Sequence, residues 1–227
     1  MEWPQRLSRA QRMGQWAGRQ CLSLSGARCL DSWGQIARDL GHPRSILCLG
    51  NGPSSEDPAL REEDFDCVFR VNWVWQARAL FTQPRMVFTA DPDLPARMAP
   101  LIAFPTRSDA HRILALYRRA GRMPPAYCVM AELPSPLGAQ VWKLRPTNGA
   151  LMVAAAAQLR PARLAIAGID LYRHPAGKYP GEIAEANAYD AIHSRETDLA
   201  AIGLSLAHFQ GEVTIIGDAL RAALAAA

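Results

Sequence analysis

Short apolar runs alternate with helical stretches along most of this chain, and this alternation restricts the fold more than any other feature. The runs cover residues 46–49, 67–71, 86–89, 101–104, 127–130, 164–167 and 213–216. Such short, nearly continuous apolar runs are typical of strands buried on both faces. Helical patterns follow at 148–159, which Pro161 ends, at 196–209 and at the C-terminus. Strands alternating with helices predict an α/β fold with a single doubly wound, mostly parallel, Rossmann-like sheet.

The length of 227 residues suits one domain, which we expect to span residues 45–227. Residues 1–44 form a separate segment. Its arginines accompany apolar residues that step by three or four and predict a basic amphipathic helix: Trp3, Leu7, Ala10, Met13 and Trp16. Such a helix either lies on an anionic membrane surface or packs on the domain. The proline-rich stretch 92–146 predicts a lid-like insertion, and residues 173–192 predict a long loop.

Composition excludes several classes of protein. The net charge is +4, but the arginines are scattered and form no stripe with interleaved aromatic residues, so we expect no nucleic-acid partner. Five cysteines without a CxxC pair argue against a disulfide framework and a structural zinc site. No signal-peptide pattern follows the first arginines, and no apolar run approaches the roughly 20 residues that span a bilayer. These features predict a cytoplasmic protein.

Polar motifs follow several of the predicted strands. The first, Gly50-Asn51-Gly52-Pro53-Ser54, ends the first strand, Asn72 ends the second, and Asp170 follows the strand at 164–167. Ligands of open parallel sheets bind at the carboxyl ends of strands. The glycines allow close approach of the backbone, although neither the dinucleotide fingerprint nor the P-loop matches. The first motif is therefore either a binding loop or a plain tight turn.

The motif Arg145-Pro146-Thr147-Asn148-Gly149 opens the alanine-rich helix at 148–159. Free backbone N–H groups at a helix N-terminus favour an anion, and the three polar side chains add donors. A carboxylate or phosphate fits this position. Simple capping by Thr147 or Asn148 explains the pattern equally well.

Three further residues have side chains suited to chemistry. Tyr172 and Tyr179 flank a polar loop, where their phenols would donate to a departing phosphate or merely pack at the loop base. His193 precedes a helix start and would take a proton from a hydroxyl group, or serve a structural role. The Asp91-Pro92-Asp93 segment imitates a metal motif, but proline after a strand favours a turn. We expect no metal and no cofactor.

In their order, these motifs resemble those of bacterial sialyltransferases of glycosyltransferase family 42. The matched segments are residues 50–54, 69–72, 145–149, 167–172, 179, 193–194 and 197–198. Asn148 stands where the family has serine, and Asp91 where it has asparagine. The resemblance spans residues 45 to about 220 and implies a Rossmann-like fold of the GT-A variant type.

The resemblance implies a donor site for a cytidine monophosphate (CMP) sugar. Asn51 and Asn72 would contact the nucleotide and its phosphate, and Asn148 and Gly149 the donor carboxylate or the cytidine. Asp170 would order the nucleotide end of the site.

The resemblance also implies the reaction. Tyr172 and Tyr179 would stabilise the leaving phosphate, His193 would be the general base, and Arg145 would organise the pocket. A metal-independent, inverting transfer of sialic acid to a glycan or glycolipid follows, in lipooligosaccharide or capsule synthesis. The family also implies a homo-oligomer.

Some features keep other functions open. The segments between Asn72 and Arg145 and between Tyr179 and His193 are shorter than in the family, so the acceptor differs or the sugar is another acidic one such as Kdo. The glycine-rich opening also occurs in metal-dependent enzymes resembling flagellin-modifying factors and pterin pyrophosphokinases, in which case Asp91 and Asp93 would be metal ligands. A non-catalytic nucleotide-binding protein is the third alternative.

Overall fold

The computed structural model describes residues 26–61, 64–78, 81–173, 180 and 188–226, and within them eight strands form one parallel sheet. The strands are β1 (Arg28–Cys29), β2 (Ser45–Leu49), β3 (Cys67–Val71), β4 (Met86–Phe88), β5 (Leu101–Phe104), β6 (Ala126–Val129), β7 (Arg163–Ala167) and β8 (Glu212–Ile215). Their order is β1-β6-β5-β4-β3-β2-β7-β8, and every neighbouring pair is parallel. The predicted α/β class with a Rossmann-like sheet is confirmed.

The central strands are apolar on both faces because helices or loops cover both faces. All five residues of β3 are buried, and in β2 only Ser45 is partly exposed. Side chains of successive residues enter different core clusters: Phe69 packs on one face and Val68 on the other. Continuous burial explains why these strands read as unbroken apolar runs.

The helices are α1 (Trp33–Asp39), α2 (Arg107–Arg119), α3 (Asn148–Leu159), α4 (Arg195–Ala207) and α5 (Asp218–Ala225). Helix α3 crosses the sheet over β2, β3 and β4 and lies beneath α4. Every residue of α3 from Ala150 to Ala157 is buried, and its alanines allow close approach to the sheet and to α4. Arg160 ends it in a left-handed conformation directly before Pro161.

Residues 28–40 belong to the sheet and core, although the sequence predicts that the domain begins at Ser45. Strand β1 pairs with β6 at one edge, and Ile36 and Leu40 are buried in the same cluster as α3. The amphipathic positions from Trp3 to Trp16 lie outside the described residues.

The stretch 92–146, in which the sequence predicts a lid-like insertion besides the strands at 101–104 and 127–130, supplies β5, α2 and β6, and both strands lie inside the sheet. Its prolines mark the turns between these elements, as at Pro105, which follows β5, and Pro125, which precedes β6. Of the predicted loop 173–192, only Arg173, Pro180 and residues 188–192 are described. Within the described part of the chain, no helix is long and apolar enough to cross a bilayer.

The topology makes the carboxyl end of β2 the expected position for a ligand. This strand lies between β3 and β7. From β2 to β6 the chain adds each strand on one side of β2, and β7 and β8 then lie on the other side. Such a reversal of strand order is a topological switch point, where ligands of open α/β sheets bind. The polar motifs after β2, β3 and β7 therefore meet at one edge of the sheet.

Candidate active site

A cleft of about 450 Å³ lies at the carboxyl ends of β2, β3 and β7, against the N-terminus of α3. Most of the predicted site residues line it: Gly50, Asn51, Gly52, Asn72, Arg145, Thr147, Asn148, Gly149, Asp170, Tyr172 and His193. Ser54 lies behind the cleft wall and is buried. Tyr179 lies outside the described residues.

The loops after β2 and β7 approach each other so closely that only glycine fits. A Cβ atom on Gly50 would lie 2.2 Å from the carbonyl oxygen of Gly168, and one on Gly52 would lie 2.4 Å from a carboxylate oxygen of Asp170. Gly168 has φ +69°, a left-handed conformation. These glycines therefore join the two loops into one wall.

Ser54 and Asp170 hold that wall from inside. Ser54 donates to both carboxylate oxygens of Asp170, through its hydroxyl at 2.6 Å and its backbone N–H at 2.9 Å. The Ser54 hydroxyl oxygen also accepts from the backbone N–H of Gly168 at 2.8 Å. Both side chains are buried. Asp170 thus orders the loop after β2 rather than offering its whole carboxylate to the cleft.

Asn51 presents a buried acceptor at the cleft. Its amide nitrogen donates to the carbonyl of Val71 at 3.1 Å, which ties β2 to β3. Its buried Oδ1 atom has no hydrogen-bond partner among the described residues. A buried acceptor is costly when unpaired, so this oxygen is suited to a ligand donor such as an amine or hydroxyl.

Arg78 supports the same loop from behind, with one guanidinium nitrogen 3.1 Å from the carbonyl oxygen of Asn51 and another 3.1 Å from the hydroxyl of Ser55. The loop backbone is therefore braced on the side away from the cleft. Arg78 was not predicted as a site residue because it lies far along the chain from the loop.

Asn72 and Asn148 join β3 to the start of α3. The amide nitrogen of Asn148 donates to the side-chain oxygen of Asn72 at 3.0 Å. Asn72 adopts φ 51°, a left-handed conformation that asparagine tolerates better than most residues. Within the described ranges, this bond leaves the amide nitrogen of Asn72 and the amide oxygen of Asn148 for a ligand.

Thr147 caps α3, and a buried carboxylate holds it in place. Its hydroxyl accepts from the backbone N–H of Ala150, while its own N–H and hydroxyl donate to Asp198, each at 2.8 Å. The backbone N–H groups of Asn148 and Gly149 follow in the first turn, where a helix has no internal acceptors for them. The predicted anion-binding helix start and the capping interpretation are therefore compatible.

His193 is oriented by a backbone carbonyl. Its Nδ1 atom lies 2.6 Å from the carbonyl oxygen of Arg145, and the Arg145 N–H donates to the carbonyl of Ile192. A carbonyl oxygen only accepts, so Nδ1 of a neutral ring carries the proton and Nε2 keeps its lone pair. The side chain of Arg145 is anchored in turn by Asp109, at 2.9 Å.

Two tyrosines, which contact each other, line the same cleft as His193. The rings of Tyr172 and Tyr189 meet edge to face with centroids 4.6 Å apart. The Tyr189 hydroxyl donates to Asp198 at 3.2 Å, and burial and this carboxylate raise the pKa of Tyr189. Tyr172 is exposed and has φ 54°. A phenol of Tyr172 is therefore accessible to a ligand in the cleft.

Asp91 also lines the cleft, after β4. Burial raises its pKa, with a contribution from Asp93, while Arg112 lowers it. The segment is a turn, in which the Asp91 N–H bonds the hydroxyl of Thr89. No group of three or more potential metal-ligating His, Cys, Asp or Glu residues occurs in the described ranges.

Sequence reasoning also missed Tyr189, Asp109 and Arg112, which line the same cleft. Tyr189 lies four residues before His193, and this short spacing was an available signal. Asp109 and Arg112 lie on α2, and no local pattern connects them to a site that other elements build.

Solved structures share this fold. The sialyltransferase CstII from Campylobacter jejuni in complex with the substrate analogue CMP-3FNeuAc aligns with a TM-score of 0.55 and 20% identity, over 76% of this chain and 81% of that one. CstII in complex with cytidine-5'-monophosphate gives a TM-score of 0.52 and 20% identity, over 79% of this chain and 82% of that one. No protein-family model matches the sequence, and no curated protein matches it. At this identity the likeness shows a common fold.

Proposed function

We propose that this chain is a glycosyltransferase that moves sialic acid, or a related acidic sugar such as Kdo, from a CMP donor to a glycan hydroxyl. The observation that carries the proposal is His193, whose Nδ1 is held by the Arg145 carbonyl while its ring lines the cleft with the predicted donor loop. The fold shared with CstII bound to CMP-3FNeuAc supports the choice of donor. So does the order of motifs that resembles family 42.

The donor is anionic, and the cleft has groups for both of its charges. The N–H groups of Asn148 and Gly149 and the dipole of α3 suit a carboxylate or phosphate. The amide of Asn72 adds a donor, and the unpaired Oδ1 of Asn51 accepts from the cytidine or a sugar hydroxyl. Arg145, partly exposed and paired with Asp109, organises the pocket.

The transfer then follows as one inverting displacement. The acceptor hydroxyl oxygen bonds to the anomeric carbon as the bond from that carbon to the phosphate oxygen breaks, and CMP leaves with the electron pair. The acceptor proton goes to Nε2 of His193. Tyr172, with Tyr179, donates to the phosphate as its charge grows, which needs no metal ion.

The acceptor is a glycan or glycolipid of the lipooligosaccharide or capsule type, at the cytoplasmic face of the inner membrane. The basic amphipathic pattern from Trp3 to Trp16 suits peripheral attachment to that membrane. A homo-oligomer is part of the same proposal.

Release of CMP from CMP-sialic acid and CMP-Kdo, with and without a glycan acceptor, tests the proposal. H193A should abolish release while retaining CMP binding. H208A is the matched control, because His208 lies exposed at the end of α4 and the one described hydrogen bond of its ring is to the Leu204 carbonyl. No release from either donor would refute transferase activity, and tight CMP binding without turnover would favour the non-catalytic alternative.

A metal-dependent enzyme is the second candidate, because Asp91 lines the cleft and Asp93 is close enough to raise its pKa. Activity that EDTA abolishes and Mg²⁺ restores, and that D91N removes, would favour it. Activity unchanged by EDTA would favour the CMP-sugar transferase.

A further inference from the structure

Asp198 is a buried carboxylate that the reaction described above does not use. It is 2% exposed, in the first turn of α4. It accepts three hydrogen bonds, from the N–H and hydroxyl of Thr147 and from the hydroxyl of Tyr189. Burial raises its pKa, and these bonds and His193 oppose that rise. The carboxylate therefore touches two segments of the cleft wall that are far apart in the chain.

Each bond of Asp198 leads to a group in the cleft. Thr147 directly precedes Asn148 and Gly149, whose N–H groups begin α3. Tyr189 packs edge to face on Tyr172. Loss of the carboxylate would release both the start of α3 and the tyrosine pair.

The direction of the hydrogen bonds defines what Tyr189 offers to a ligand. An ionised carboxylate only accepts, so Tyr189 must give its single O–H proton to Asp198. The phenolic oxygen then keeps only lone pairs for the cleft. Tyr189 is therefore suited to accept a hydrogen bond from a sugar hydroxyl.

We propose that Asp198 is a positioning residue that fixes the start of α3 and the side chain of Tyr189 relative to each other. By accepting the Tyr189 proton, it also makes Tyr189 a hydrogen-bond acceptor for a hydroxyl of the bound sugars. The kinetic part of this inference rests on the proposed transferase function. Its structural part does not, because the three hydrogen bonds exist without substrate.

Simple capping of α4 is the competing explanation, since an acid in a first turn complements the helix dipole. Glu196 separates the two. It lies in the same turn with the same charge but is exposed. E196Q therefore removes a first-turn charge without touching Thr147 or Tyr189, and serves as the matched control for D198N.

Hydrogen exchange of the full chain tests the structural part. D198A should exchange faster than wild type at the amides of residues 147–151 and 188–193, while E196Q should not. D198N keeps one acceptor oxygen for the Thr147 N–H and should remain near wild type at residues 147–151. Exchange at 147–151 that is unchanged in D198A, or equally raised in E196Q, would overturn the inference.

Steady-state kinetics test the rest. In D198N the amide donates where the carboxylate accepted, so Tyr189 loses its orientation and kcat should fall roughly 10- to 100-fold, with E196Q unchanged. Y189F should lower kcat in wild type and have little further effect in D198N, since the two residues act through one bond. Additive effects would overturn this coupling. If wild type releases no CMP, the proposed function fails, and hydrogen exchange alone decides the role of Asp198.

Discussion

The backbone carbonyl of Arg145 accepts a hydrogen bond from Nδ1 of His193 at 2.6 Å, so the residue that starts the α3 motif also orients the proposed base. The side chain of Arg145 ends at Asp109 on α2. A chain of contacts thus runs from α2 through Arg145 to the imidazole. Displacement of Arg145 would move the base as well as the pocket wall.

D109N should therefore lower kcat, by roughly 10-fold or more, because Arg145 loses its charged partner and the histidine its fixed carbonyl. E132Q is the control. Glu132 pairs with Arg107, which lies on α2 as Asp109 does, and the side chain of Glu132 is buried to a similar extent as that of Asp109 but does not line the cleft. Steady-state kinetics with parallel thermal melts make the comparison. A fall in kcat that is equal in both variants would contradict the special role of Asp109.

G50A should destabilise the fold by on the order of 3 kcal/mol and prevent CMP binding, because its Cβ would meet the Gly168 backbone at 2.2 Å. G203A is the matched control. A Cβ on Gly203 meets nothing within 4 Å, and alanine favours the helix by about 1 kcal/mol. Urea unfolding measures both, and a G50A variant as stable as wild type would show that the two loops are not in close contact.

S54A should lower the free energy of unfolding by about 2 kcal/mol and weaken CMP binding, since it leaves the Gly168 N–H and one Asp170 oxygen unpaired in a buried place. Ser205 is also buried, but among the described residues its hydroxyl bonds only the Ala201 carbonyl of its own helix. S205A should therefore be nearly neutral. Calorimetric titration with CMP and urea unfolding give the two readouts. Equal losses of stability and CMP affinity in both variants would contradict the role of Ser54 in joining the two loops.

Y172F should reduce kcat roughly 10- to 100-fold with little change in stability, because its exposed phenol is proposed to donate to the leaving phosphate. Tyr117 provides the control. Its hydroxyl accepts from the Trp73 indole in a different core cluster, so Y117F should cost about 1 kcal/mol of stability and leave kcat unchanged. Full activity in Y172F would exclude the phenol from the reaction.

The stability of the chain should depend on pH through Asp198. Burial raises the pKa of this carboxyl in the folded chain above its ordinary value, so the folded state binds the proton more tightly than the unfolded state. The contribution of Asp198 to the free energy of unfolding therefore falls as pH rises between these two pKa values. Thermal melts from pH 4 to pH 8 should show D198N gaining stability relative to wild type with rising pH. A constant difference between the two proteins would contradict this.

Much of the fold was predictable because buried parallel strands leave continuous apolar runs, as at 46–49 and 164–167. Strand β1 was not, because it has two exposed residues and no pattern of its own. In the stretch 92–146 the strands at 101–104 and 127–130 were predicted, but helix α2 between them was not, because the prolines of this stretch were taken for signs of a lid. They lie at the ends of short central strands, where the chain turns.

The motifs after β2, β3 and β7 and at the start of α3 were found from sequence, since each is local and strand ends in a parallel sheet share one edge. The partners of these motifs were not found. Asp109 and Arg78 reach the site from separate elements, and nothing in their local sequence marks them, whereas Tyr189 was overlooked although it lies four residues before His193.

The sequence by itself determined the class of fold and which loops line the cleft, because apolar runs and glycine turns are local properties. Only the tertiary structure decided which atoms remain for a ligand. The Arg145 carbonyl selects the proton position on His193, and Asp198 commits the proton of Tyr189. Both effects come from hydrogen bonds between segments that are distant in the chain or are brought together by turns. A donor that is used in such a bond is not available to the substrate.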